Sequence, residues 1–78
     1  MLEFKVQLSR AGSLNHFVEE MNKIPGTVML IGNDRKVNAK SLLGLLNTSQ
    51  SEILTLEIDS TEADIKDVMP FIQQITAT

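Results

Sequence analysis

The spacing of apolar residues along this chain switches repeatedly between a period of two and a period of about 3.6, in pieces too short for any long helix or wide sheet. Leu2-Glu3-Phe4-Lys5-Val6-Gln7-Leu8 alternates apolar and polar, the pattern of a strand with one buried and one wet face. Ser9-Arg10-Ala11-Gly12-Ser13 reads as a loop. Leu14, Phe17, Val18 and Met21 then fall on one helical face, with Ser13 as a candidate N-cap and Lys23 suited to the negative end. Ile24-Pro25-Gly26 stops that helix, since Pro25 disfavours a helical Ile24. Thr27-Val28-Met29-Leu30-Ile31 and Arg35-Lys36-Val37-Asn38 flank Gly32-Asn33-Asp34, the composition of a tight hairpin. Asn38 or Ser41 can cap a short helix through Leu42–Leu46, followed by the polar loop Asn47–Ser51. Glu52–Ile58 is a fourth strand with Leu54, Leu56 and Ile58 on one face. Thr61-Glu62-Ala63-Asp64 opens a third helix with acids in its first turn and the stripe Ile65, Val68, Met69, Ile72 and Ile75. Pro70 within that stripe predicts a kink or an early end.

The order β-α-β-β-α-β-α predicts an α+β fold, one four-stranded antiparallel sheet with three helices on one face. Its 78 residues make a single domain, 1–78, and 42% hydrophobic residues are enough to drive folding. A chain this small suits a binding or carrier module better than an enzyme with a wide cleft, and we expect no enzymatic activity. Without cysteine, disulfides, thiolate zinc sites and thiol nucleophiles are excluded, so the fold must rest on its core. The expected core is Phe4, Val6, Leu8, Phe17, Val18, Met21, Val28, Leu30, Leu54, Leu56, Ile58, Ile65, Val68, Met69 and Ile72. Seven basic against ten acidic residues, no basic tract and only three aromatics argue against nucleic-acid binding. No apolar run approaches the ~18 residues of a membrane span, so no membrane partner and a cytoplasmic location are expected.

That element order, together with Arg35-Lys36-Val37-Asn38-Ala39-Lys40-Ser41-Leu42-Leu43-Gly44-Leu45-Leu46, resembles HPr, the histidine-containing phosphocarrier of the bacterial sugar phosphotransferase system. The resemblance runs from Phe17 to the C-terminus and implies an open-faced β-sandwich. It also implies that Ser41 occupies the position phosphorylated by a regulatory serine kinase. Members of that family carry a phosphoryl group on a histidine in a Gly-(Leu/Ile)-His-(Ala/Thr)-Arg-Pro segment. Here Ala11-Gly12-Ser13-Leu14-Asn15-His16-Phe17 stands instead, shorter than the family before Phe17 and without the adjacent Arg and Pro. Anchoring on Phe17 places His16 beyond the family's position; anchoring on Leu14 places Asn15 there.

His16, the sole histidine, is a candidate phosphoryl acceptor near a helix N-terminus, where Arg10 could fold back to replace the lost arginine. Ser41 is the candidate regulatory site. Leu42, Leu43, Leu45 and Leu46 cannot all face inward from so short a helix, because adjacent positions diverge by ~100°. Leu42, Leu43 and Leu46 match the family's docking surface, and Lys40 is counted with it. Arg35, Lys36 and Lys40 form a weak basic patch, more ordinarily solvated surface. Asp59, Glu62, Asp64 and Asp67 lack the spacing of a calcium loop and are assigned to helix-dipole matching, so neither a metal nor a cofactor is expected. Met21, Met29 and Met69 are core filler. The leading reading is an HPr-like regulatory or protein-binding module acting through the second short helix and Ser41. Its protein partners would be phosphotransferase-system enzymes, a serine kinase or a transcriptional regulator, and a homodimer through the leucines is equally open. The alternative is a divergent phosphocarrier using His16; a third reading is a scaffold that has lost the family's function.

Overall fold

Apolar alternation in four short segments is satisfied in the computed structural model, which describes residues 1–77, by one antiparallel sheet of β1 (Leu2–Val6), β2 (Val28–Ile31), β3 (Lys36–Asn38) and β4 (Leu54–Ile58). The spatial order is β1-β4-β2-β3. β4 is paired on both edges, with Phe4 and Leu30 both opposite Leu56, and Leu30 in turn opposite Val37. This cross-strand row, with Val6, Leu54, Val28 and Ile58, makes one face of the sheet apolar. The opposite face carries Lys5, Thr55, Lys36 and Glu57, with a Lys5 Nζ to Thr55 Oγ1 hydrogen bond of 2.7 Å and a Lys36–Glu57 ion pair at 3.6 Å.

Three helices cover the apolar face: α1 (Leu14–Met21), α2 (Leu42–Leu45) and α3 (Met69–Ile75). Phe17 and Met21 of α1, Leu45 of α2, and Phe71, Ile72 and Ile75 of α3 are buried against it. Ser13 caps α1 as expected, its Oγ accepting from the His16 N–H at 3.1 Å. Ser41 rather than Asn38 caps α2; Asn38 Oδ1 instead accepts from the Lys40 N–H. Most of the predicted core is buried. Phe4, Val18 and Met69 are only partly covered at its margin, whereas Ala11, Ile24, Ala39, Leu45, Phe71 and Ile75 belong inside it.

Several local expectations change. The first strand ends at Val6, and Leu8–Ala11 form a 3₁₀ turn instead of an open loop, which still buries Leu8 and Ala11. The third helix does not begin at Thr61. Residues 62–65 are turns, a 3₁₀ segment covers Lys66–Val68, and α3 starts at Met69, with Pro70 in its first turn, where the missing N–H has no helical partner to lose. The proline therefore begins the helix instead of kinking it. No acid lies in the first turn of α3 itself, and only Asp67 lies in that of the 3₁₀ segment leading into it. Asp64 closes a local box instead, accepting from Ser60 Oγ at 2.8 Å and from the Thr61 N–H at 3.4 Å. Lys23, expected at the negative end of α1, pairs with Glu20 at 2.6 Å.

Two backbone features close the structure. Gly26, in the turn after α1, has φ +86°, and a Cβ there would stand 2.4 Å from the Asp59 carbonyl oxygen, so only glycine fits. At the outer edge of β1, Val6 bridges Thr76, the Ala77 N–H donates to the Lys5 carbonyl at 2.7 Å, and the Gln7 N–H donates to the Ile75 carbonyl at 2.9 Å.

Phe17 is fully buried beside Phe71, with ring centroids 6.2 Å apart, and Phe17→Ala should cost about 3–5 kcal/mol in urea unfolding. A loss below about 1 kcal/mol would contradict this packing. The hydrogen bonds from Ser60 and Thr61 hold the Asp64 carboxyl below its ordinary range. Because the folded pKa is depressed, its contribution is present above the unfolded pKa and lost as pH falls through the folded one. The stability difference between the natural protein and Asp64→Asn should therefore narrow toward acid pH, as read by urea unfolding across a pH series.

Candidate functional site

α2 is a single turn whose residues point in diverging directions, so the four leucines of Leu42–Leu46 divide. Leu45 is fully buried and anchors the turn to the core. Leu43 is 79% exposed, Leu46 59% and Leu42 37%. Ser41 starts the turn from an extended backbone, and its Oγ accepts from the Gly44 N–H at 3.3 Å. The Ser41 N–H donates to the Asn38 carbonyl at 3.1 Å. Serine and outward leucines thus share one capped turn.

The expected basic patch is dispersed by other bonds. Arg35 donates to the Asn47 carbonyl at 3.2 Å, and Lys36 faces Glu57 on the open side of the sheet. Lys40 turns away from the leucines, and its ammonium donates to the Ile24 carbonyl and, at 2.8 Å, to the Gly26 carbonyl.

His16 sits in the first turn of α1 with half its side chain exposed. Its ring meets Phe71 edge-on at 5.0 Å, and Nδ1 lies 3.9 Å from the Glu19 carboxylate. Its neighbours are thus an apolar ring and a negative charge, a poor setting for an incoming phosphate. Arg10 does not fold back toward it: Nε donates to Gln7 Oε1 at 2.8 Å. Asn15, the other position the alignment allowed, is exposed on the same turn.

Phe71 escaped the sequence reading because it directly follows Pro70, where a break was expected. Ile53, 53% exposed, also escaped, although Leu54, Leu56 and Ile58 pointing inward already oblige their odd neighbours to point outward. Two shallow depressions of about 480 and 530 Å³ lie near the β2–β3 turn and beside Leu2 and Phe4. No unpaired buried polar side-chain atom among the described residues points into either. No group of three or more metal-ligating side chains occurs among the described residues, and no helix there is long and apolar enough to cross a membrane.

A four-stranded antiparallel sheet in the order β1-β4-β2-β3, covered on one face by three helices, is the HPr-like open-faced sandwich. The chain is similar to Bacillus subtilis Crh, the catabolite repression containing protein, whose crystal structure at 1.8 Å is described as a swapped-domain, intertwined dimer. The two share 26% identity and a TM-score of 0.60, over 99% of this chain and 90% of that one. No protein-family model and no curated protein sequence matches the chain.

The split among the leucines is measurable. Leu43→Ala should shift the urea midpoint by no more than about 0.5 kcal/mol equivalent, as at an ordinary surface position, while Leu45→Ala should cost about 2–5 kcal/mol. Equal losses at the two positions would place Leu43 in the core.

Proposed function

We propose that this chain is an HPr-like regulatory module related to the phosphotransferase system, which binds a protein partner through Leu42, Leu43 and Leu46 and transfers no phosphoryl group itself. The carrying observation is the outward set of three leucines on a turn whose fourth leucine is the anchor. Contiguous exposed apolar side chains mark surfaces that a partner covers. Similarity to Crh, a catabolite repression protein seen as an intertwined dimer, supports a regulatory role and protein contacts, a second copy included.

Ser41 is the regulatory position in this reading. A serine kinase would transfer the γ-phosphoryl group of a nucleoside triphosphate to Ser41 Oγ, the hydroxyl proton leaving to the kinase's base and the diphosphate departing. The product adds about −1.5 to −2 charges beside Leu42 and Leu43 and imposes desolvation on any apolar contact there. The phosphocarrier reading asks His16 to accept a phosphoryl group between Phe71 and Glu19, with Arg10 engaged elsewhere. It is the weaker of the two on that geometry.

Incubation with the general phosphotransferase enzyme and radiolabelled phosphoenolpyruvate should leave His16 unlabelled; acid-labile label on His16 would overturn the non-catalytic reading. Against purified regulators and phosphotransferase proteins, Ser41→Asp should weaken the contact at least about tenfold, with the thermal midpoint nearly unchanged. Binding insensitive to both Ser41→Asp and Leu43→Ala would remove the α2 surface from the interface.

A further inference from the structure

We infer that Lys40 is the positioning residue of the α2 surface, a tie between the turn after α1 and the segment from which α2 starts; this rests on the reading of Leu42, Leu43 and Leu46 as the docking surface. A helix of one turn has no stability of its own, so its orientation must be imposed from outside. Leu45 supplies depth, but one buried side chain does not fix the angle at which its neighbours are shown.

The angle is set by hydrogen bonds running both ways between two segments. The Lys40 ammonium donates to the carbonyls of Ile24 and Gly26. In return Asn22 Nδ2 donates to the Lys40 carbonyl at 3.2 Å, while also donating to the Val18 carbonyl of α1 at 2.8 Å. Bonds from a charged donor are shorter and stronger than neutral ones, and carbonyls just past a helix C-terminus favour a cation. The far side of the tie is itself constrained: Pro25 has a fixed φ, the Gly26 Cα lies close to the Asp59 carbonyl, and the Asp59 N–H donates to the Thr27 carbonyl. Lys40 is thus committed inward, and it acts on the docking surface through the Asn38–Ser41 segment without meeting the partner.

Native-state amide exchange of the unbound protein tests this. Lys40→Met keeps the aliphatic stem and removes the ammonium, so the Ser41 and Gly44 amides should exchange at least about tenfold faster, with Leu30 and Leu56 in the sheet unchanged. Lys40→Arg, which retains a cationic donor, should restore part of the protection. Unchanged exchange at Ser41 and Gly44 in Lys40→Met, or a rise only in step with Leu56, would overturn the inference, the latter marking a residue that stabilises the domain as a whole. No partner enters the measurement. A docking surface refuted by binding experiments and a tie refuted by exchange are therefore separate outcomes.

Discussion

Leu56 faces Phe4 on one side and Leu30 on the other, and through Leu30 the row reaches Val37. Every strand of the sheet contributes to that row, and it spans the floor on which the helices lie. With no cysteine in the chain and no buried charged residue among the described residues, burial of this one face is what offsets the conformational entropy of folding. The position of α2 follows from it. β2 and β4 are neighbours joined through β3 and α2, so α2 must begin at one side of the sheet and deliver the chain back into its middle. The helix in that connection is a single turn, and a single turn cannot hide four leucines.

Much of the fold could be read from periodicity because strands with one wet face alternate cleanly, as Leu54, Leu56 and Ile58 do. The HPr-like architecture was legible on the same grounds. What failed was local, and each failure had a competing cause. The Thr61–Asp64 pattern has the residues of a helix cap, yet its side-chain bonds close a free-standing turn, since Pro70 makes a better helix start than interior. Lys23 and Lys40 could both have served the end of α1. Sequence distance favoured Lys23, but Glu20 one turn away captured it, and the residue that reaches the turn after α1 comes from another element. Such a contact between distant segments leaves no periodic trace.

The candidate site shows the same division. That the leucines of α2 must part company was implied by 100° geometry, but which one turns inward is decided by the sheet beneath, and that is Leu45. At His16 the sequence revealed a missing motif. It could not reveal Phe71, because the edge-on contact depends on where α3 starts. The electrostatic contrast between the two sites is plain: a carboxylate stands beside the imidazole, whereas Ser41 opens a turn with no acid in it.

The bridge between Val6 and Thr76 joins opposite ends of the chain. During synthesis, β1 emerges first, yet its sheet partner β4 is separated from it by most of the molecule, and the closing strand segment comes later still. α1 and the β2–β3 hairpin can form from nearby residues as they appear, but Phe4 and Val6 must wait in water for Leu56 and Leu54. Bringing β1 onto β4 closes a loop of most of the chain and costs the corresponding loop-closure entropy. The bridge thus makes the pairing of β1 a contact of long sequence separation at both of its edges, with β4 on one side and Thr76 on the other.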